Sequence, residues 1–449
     1  MYDVIILGSG PGGYVAAAKA GKAGLKTLVI EKASLGGVCL NTGCIPAKAM
    51  LASAQRYQEV KDAAAHGIHI SGEITFDWSE MQKRKDKVVT RLNKGIQALF
   101  KQSHVEWQIG EASVLSPTEV QVGSDTFHTK HIILATGAKP HYPDIPGLSQ
   151  LIDSKNALSP TEILSLEKIP QKLLILGDNI FAVEYASLFS ALGSSVSLLT
   201  MAERILPHMD AELSDFLKRE LGQQKVEFIT QAEIKNLENG KVSYLSGDKT
   251  SSLTFDKVLV ALGASPNLSG LERLDLTLSP SGFIETDEFL RTSVKGIYAI
   301  GDVNGKFPLA HVASKEGIVA VEHILGNEQP IHYDKLPMAV YSLPEVASVG
   351  LSEQDAREMY EDVKVSKYFL SANGKALAEG DSKGFVKILS VSPYDEVVGM
   401  HVAGNKATDI IAEGVLAMQL EATLHDLASA VHAHPTPSEI IMEAASSSI

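Results

Sequence analysis

Cysteine is almost absent: 449 residues hold two, Cys39 and Cys44, both within the stretch GGVCLNTGCIPAK at 36–48. A scaffold stapled by several disulfides is therefore excluded. Cationic charge is also in deficit, with 40 Lys and Arg against 54 Asp and Glu and a formal net charge of −14. That balance argues against nonspecific nucleic-acid binding, which needs a cationic face to displace phosphate counterions. No uninterrupted apolar run reaches the roughly 18 residues a membrane-spanning helix requires, so no span is expected. The start, MYDVIILGSG, enters a strand pattern at once and leaves no room for a charged segment, an apolar segment and a cleavage site. A cytoplasmic protein is expected, and in a reducing compartment a lone cysteine pair is a poor structural staple.

A chain of this length is too long for one core and reads as two to four domains. The first segment, YDVIILGSGPGGYVAAAKAGKAGLKTLVIEK, runs from a short apolar stretch through a glycine turn and an Ala-rich helix pattern to a second apolar stretch ending in Glu31. That order is a βαβ unit. LLILGDNIFAVEYASLFSALGSSVSLLT at 173–200 repeats it, which implies a second nucleotide-binding unit. Residues 82–104 read as a charged amphipathic helix; HIILATGAKP (131–140) and DKVLVALGASPN (256–267) each read as a buried strand closing on a glycine turn. IYAIGDV (297–303) is a further strand, followed by helix-like LAHVASKEGIVAVEHIL. From about Leu336 alternating β-like runs precede a helix at 405–420, as in a separate α+β domain.

Gly8, Gly10 and Gly13 form GxGxxG between a strand and a helix, with Glu31 ending the next strand. The three glycines suit a tight turn, close backbone approach to a pyrophosphate and close packing of helix on strand, while the glutamate can accept hydrogen bonds from a ribose. A bridge between Cys39 and Cys44 would close a small loop, and Ile45-Pro46 suits the first turn of a helix. A thiolate at a helix N-terminus has a lowered pKa and is a good nucleophile and leaving group, so the pair is expected to cycle.

These residues together resemble the flavin disulfide reductases, the class I pyridine nucleotide-disulfide oxidoreductases, and among them the dihydrolipoamide dehydrogenases. The resemblance covers essentially the whole chain, including ATGAKP, AIGDV, YSLPEVASVG at 341–350 and HAHPTPSE at 432–439. It implies an α/β fold of two Rossmann-like nucleotide-binding domains plus a C-terminal α+β dimerisation domain. The expected boundaries are 1–145 with 266–330 for FAD, 146–265 for NAD, and 331–449 for the interface. Gly8, Gly10, Gly13, Glu31, Lys48, Thr136, Gly137, Asp302 and Ala310 would bind FAD. Cys44 would lie against the flavin as a thiolate, and Cys39 would exchange with the substrate disulfide. Lys48 would pair with Glu184 beside the flavin, where a cation stabilises the negative charge of a reduced ring. His434, oriented by Glu439, would act as the base for the incoming thiol and would reach the disulfide of the other subunit of a homodimer. His432 would serve structure. No metal site is implied. The partner would be a lipoyl-bearing protein of a 2-oxoacid dehydrogenase, glycine-cleavage or related complex.

The chain ends MEAASSSI, without the C-terminal redox pair of large thioredoxin reductases or the vicinal cysteines of mercuric reductases. GGVCLNTGCIP also differs from the cysteine surround of glutathione reductases. The second nucleotide turn departs from the family pattern. Gly177, Ala182 and Gly263 fit an NAD site, but Asn179 stands where a glycine admits the pyrophosphate, and Asp178 adds a negative charge beside it. Thr200 replaces the glutamate that would hold the adenosine ribose, Ala264 replaces an arginine, and no arginine pair favours NADP. The expectation is NAD as acceptor. The alternatives are weak NAD use with another electron acceptor, reduction of a different small disulfide, or a non-catalytic lipoyl-complex flavoprotein.

Overall fold

The computed structural model describes residues 1–449. The apolar stretch Tyr2–Leu7 forms the centre of a first sheet, with parallel neighbours Thr27–Glu31 and Asp125–Leu134. Glu106–Ile109 extends this sheet on one side and Ile297–Ala299 on the other, so the chain returns to it after a long excursion. The helix Pro11–Lys22 crosses the helix Ala310–Ile324 closely. A Cβ on Gly12 would meet the Ala313 carbonyl oxygen at 2.9 Å, and one on Gly317 would meet the Gly12 oxygen at 2.6 Å.

The excursion builds a second parallel sheet in the order Val226–Ile229, Ser195–Leu199, Lys172–Leu176, Lys257–Val260 and Ala157–Leu158. The helix Ile180–Ala191 lies against it and is mostly buried, with apolar residues on every face and Glu184 among the buried positions. The two units are joined by an antiparallel pair, Ala138–Pro140 with Ala264–Pro266, formed from the two glycine-turn segments. The amphipathic helix expected over 82–104 spans Trp78–Gln102 and starts at an Asp77 cap that accepts from the Glu80 N–H.

A third, antiparallel sheet of five strands runs Met338–Val340, Val346–Gly350, Glu396–Ala403, Phe385–Val391 and Val363–Phe369. Helices Ala407–Gln419 and Glu439–Ser446 pack against it. Its middle strands are buried on both faces. Lys387 and His401, each 1% exposed, point at the second unit. Lys387 Nζ donates to Asp210 Oδ1 at 3.0 Å, Glu212 Oε1 at 3.0 Å and Glu353 Oε2 at 2.8 Å. Burial by itself would raise Asp210, but His401, the Glu353 N–H and Lys387 outweigh it and hold the carboxyl below its usual range.

His401 donates from Nε2 to the Leu351 carbonyl at 3.0 Å, and burial depresses its pKa to about 4, despite Asp210 3.8 Å away. Between that value and its ordinary 6.5 the unfolded chain binds more protons than the folded one, so stability is fully present above the upper value and falls as pH drops. The contribution is about 3 kcal/mol. Thermal melting followed from pH 7 to pH 4.5 should show this loss, and the H401Q variant should show a shallower slope.

Candidate active site

The first glycine turn is an open cradle. Gly8 has φ +101°, and a Cβ there would meet the Ala135 oxygen at 2.2 Å; a Cβ on Gly13 would meet the Gly8 oxygen at 2.0 Å. Gly10 faces nothing within 4 Å. The helix that starts beside it has no side-chain cap and no acidic first-turn residue, so its free N–H groups and positive dipole end point into this space. Glu31 is buried and ties the turn down, accepting from the Ser9 N–H at 2.9 Å, the Ser9 hydroxyl at 2.7 Å and the Ala33 N–H at 2.9 Å.

Other features fit a large dinucleotide here. Thr136 Oγ1 and Asn267 Oδ1 are buried polar atoms without partners, which is costly unless a ligand supplies them. A Cβ on Gly137, φ +72°, would meet nothing within 4 Å. Asp302 sits in the turn Gly301–Asn304, and burial pushes its carboxyl up. Buried Glu316 fixes that turn, accepting from the Gly301 N–H, from Asn304 Nδ2 at 3.0 Å and from the Tyr333 hydroxyl at 2.6 Å. Ala310 starts the following helix, which likewise has no side-chain cap. Donors, acceptors and open space of this kind suit FAD, whose phosphates, ribose and ribityl hydroxyls require all three.

Cys39 and Cys44 are joined by a disulfide with Cα atoms 4.6 Å apart. Cys39 lies in the short helix Gly37–Asn41, and Cys44 is the first residue of the long helix Cys44–Lys61. Gly36 and Gly37 permit the approach: both have positive φ, and a Cβ on Gly37 would meet the Gly10 Cα at 2.6 Å. The disulfide loop is thereby held against the first glycine turn. The long helix has neither a side-chain cap nor an acidic first-turn residue, so its dipole acts on Cys44 unopposed.

Lys48 stands four residues on, on the same helical face as Cys44. Its Nζ donates to both oxygens of Glu184 at 2.8 Å, and Glu184 is 1% exposed. The Tyr341 N–H also donates to Glu184 at 3.0 Å, and the Tyr341 ring lies 4.5 Å from Lys48 Nζ. Sequence reading paired Lys48 with Glu184 but missed Tyr341, whose backbone role leaves no side-chain signature.

The second turn is built differently. Gly177, φ +131°, approaches the Ala261 oxygen as Gly8 approaches Ala135, and Ala182 is fully buried. Asn179 fills the place of Gly10 and caps its own helix, its Oδ1 accepting from the Ala182 N–H at 3.1 Å and its Nδ2 donating to the Ala261 oxygen at 2.8 Å. Thr200 donates its hydroxyl to Asp178 Oδ2 at 2.6 Å, so a carboxylate expected to be missing from this strand end is present across the turn. Gly263, φ +100°, leaves open space. Ala264 pairs with Pro140 in the strand joining the two units.

At the far end of the chain, His434 is 81% exposed and its Nδ1 meets Glu439 Oε1 at 2.8 Å. The Thr436 N–H donates to the other oxygen at 2.8 Å, and this bond with the His434 contact holds the Glu439 carboxyl low. No hydrogen bond of His434 reaches the disulfide of the same chain. His432 is bonded on both sides, to Glu413 at 2.8 Å and the Ala430 oxygen at 2.9 Å.

A reducible disulfide on an open dinucleotide cradle, backed by a second βαβ unit, defines a disulfide oxidoreductase that works with nucleotide cofactors. The family model for pyridine nucleotide-disulphide oxidoreductases matches residues 2–317, and that for their dimerisation domain matches 336–445. The chain belongs to this family. It is 38% identical to the dihydrolipoyl dehydrogenase of Mycoplasma pneumoniae over 444 residues, covering 98% of this chain and 97% of that one. The dihydrolipoyl dehydrogenase of Bacillus subtilis is 39% identical over 466 residues, covering 99% and 97%. Among solved structures, LpdA of Mycobacterium tuberculosis is similar with a TM-score of 0.90 at 25% identity, covering 100% and 99%. The HOCl-induced flavoprotein disulfide reductase RclA of Escherichia coli has a TM-score of 0.87 at 26% identity, covering 99% of each chain.

Proposed function

We propose that the protein oxidises protein-bound dihydrolipoamide to lipoamide and passes the electrons to NAD. The observation that carries this reading is the Cys39–Cys44 disulfide at an uncapped helix start, with the Lys48–Glu184 pair one turn behind it, in a chain alike over its whole length to dihydrolipoyl dehydrogenases.

One dihydrolipoyl thiol, deprotonated by His434, attacks Cys39 Sγ and breaks the bond to Cys44, which leaves as a thiolate stabilised by the helix end. The second lipoyl thiol then attacks the mixed disulfide, releasing lipoamide and reduced Cys39. The dithiol loses two electrons and two protons, and the enzyme disulfide gains the electrons. FAD, when bound, supplies a two-electron acceptor between Cys44 and the nicotinamide. Gly8, Gly10, Gly13, Glu31, Thr136, Gly137, Asp302 and Ala310 would hold it, Lys48 would offer its ring a positive charge, and Gly177, Asn179, Ala182, Thr200 and Gly263 would build the site of the nicotinamide nucleotide.

Glu439 fixes the ring orientation of His434. His434 is exposed and makes no hydrogen bond to its own disulfide; it serves the disulfide of a second copy, and residues 331–449 form the dimer unit beside 1–145 with 266–330 and 146–265. Leu416, Leu420 and Val431, strongly exposed on that unit, fit a face covered by the second copy. The partner is a lipoyl-bearing protein of a 2-oxoacid dehydrogenase, glycine-cleavage or related complex. No helix is long and apolar enough to cross a membrane.

Steady-state assays of the FAD-loaded protein should show NAD-dependent turnover with dihydrolipoamide and at least roughly a hundredfold lower kcat/KM with glutathione, because binding energy specific to the lipoyl chain is missing. Equal rates with both thiols would reject a lipoamide-specific reading.

A further inference from the structure

The two βαβ units can be aligned residue by residue through their hydrogen bonds. Leu7 pairs with Ile30, and the Gly8 N–H donates to the Ile30 oxygen at 2.8 Å. Leu176 pairs with Leu199, and the Gly177 N–H donates to the Leu199 oxygen at 3.0 Å. Ser9 therefore corresponds to Asp178, and Glu31 to Thr200.

Each pair is a hydroxyl bonded to a carboxylate: Ser9 to Glu31 at 2.7 Å, Thr200 to Asp178 at 2.6 Å. The surrounding bonds repeat too. The Ala33 N–H donates to Glu31 at 2.9 Å, and the Ala202 N–H donates to the Thr200 hydroxyl at 3.0 Å. The Gly36 N–H donates to the Ser9 oxygen at 3.1 Å, and the Leu206 N–H to the Asp178 oxygen at 2.7 Å. The second unit has thus kept the pair and exchanged its members, moving the carboxylate from the strand end to the turn.

We propose that Asp178 recognises the adenosine ribose of the nicotinamide nucleotide and makes the second site selective for NAD over NADP. This rests on NAD being the acceptor. Thr200 occupies Oδ2 and leaves Oδ1 without a partner in the chain, on a half-exposed side chain. A ribose diol donates to such an oxygen, whereas a 2′-phosphate would bring a second negative charge against it. Arg204, the guanidinium of the following loop, donates to the Pro207 oxygen at 3.3 Å. The negative charge at Asp178 is then a substitute for the missing strand-end glutamate rather than a barrier to the nucleotide.

The test is calorimetric binding of NAD+ and of NADP+ to the FAD-loaded wild type, the D178N variant and the exchange variant D178S/T200E, with flavin content and melting recorded for each. Wild type should prefer NAD+. D178N should weaken NAD+ binding about tenfold or more, in line with loss of a hydrogen bond to a charged group, and narrow the preference over NADP+. The exchange variant, which restores the arrangement of the first unit, should recover NAD+ affinity to within about threefold of wild type. Unchanged or tighter NAD+ binding by D178N, or an exchange variant that retains flavin without recovering, overturns the role of Asp178. If D178N does not fold, the exchange variant decides alone. A wild type that binds neither nucleotide would instead overturn the NAD reading itself, and this proposal with it.

Discussion

Replacing Cys44 with serine should reduce dihydrolipoamide oxidation by at least about 10³-fold while FAD stays bound, since the reaction then has no disulfide to receive electrons. The substitution removes one sulfur at the head of a helix whose fold does not depend on it: Pro46, Ala47, Ala49 and Met50 bury the other positions of that turn. Anaerobic addition of dihydrolipoamide to the variant should give none of the long-wavelength absorbance that a thiolate against an oxidised flavin produces. The parallel change of Cys39 to serine should be equally inactive with lipoamide, but it leaves a thiol at Cys44. Retention of that absorbance in C39S and its absence in C44S would separate the two cysteines by role. Loss of flavin from C44S would contradict the placement of Cys44 against the cofactor.

The second large effect concerns His434. His434→Gln should lower turnover with dihydrolipoamide by about 10² to 10⁴, the usual value of a positioned base, while reduction of the flavin by NADH is unchanged. The geometry adds a sharper expectation. The proposed role of His434 at the disulfide of a second copy makes its 81% exposed ring part of a site shared between two chains. C44S homodimers should not turn over, and H434Q homodimers should do so only at that residual rate. Unfolding and refolding them together forms mixed dimers in which one of the two sites draws an intact disulfide from one copy and an intact histidine from the other. Recovery of about a quarter of wild-type activity is expected for statistical mixing of a two-fold assembly. If each site used the histidine of its own chain, mixing would restore nothing.

How much of this was legible in the sequence depends on whether a residue's role is local. Gly8, Gly10, Gly13 and Glu31 stand at a spacing that a βαβ turn demands, and the structure builds that turn from them. Cys44 four residues before Lys48 places both on one helical face wherever that helix packs. The pairing of Lys48 with Glu184 spans 136 residues and was reached through family resemblance rather than spacing. Tyr341, which donates its backbone N–H to the same glutamate, falls in the stretch YSLPEVASVG, but nothing in that stretch points to Glu184.

Two features take their meaning from contacts that sequence spacing does not show. In the third sheet Lys387 and His401 interrupt apolar runs, and both are buried, Lys387 against Asp210 and Glu212 and His401 3.8 Å from Asp210, all on another unit. Alternation reports which faces are polar, not whether a neighbour covers them. At the second turn, Asp178 and Thr200 look like two separate defects when each position is compared alone. Only their 2.6 Å contact shows that a hydroxyl–carboxylate pair has been preserved with its members exchanged. Asn179 likewise looks like an obstruction, but it folds back as a helix cap and joins the turn to Ala261.

The proposed route takes electrons from a dihydrolipoyl dithiol into Cys39–Cys44 and out to NAD through the flavin. It is tested most directly by anaerobic titration of the FAD-loaded protein with dihydrolipoamide, followed by addition of NAD+. Long-wavelength absorbance should appear on addition of about one equivalent of dithiol and disappear on addition of NAD+, with NADH formed in a matching amount. A flavin spectrum untouched by dihydrolipoamide, or a reduced protein that forms no NADH, would contradict it.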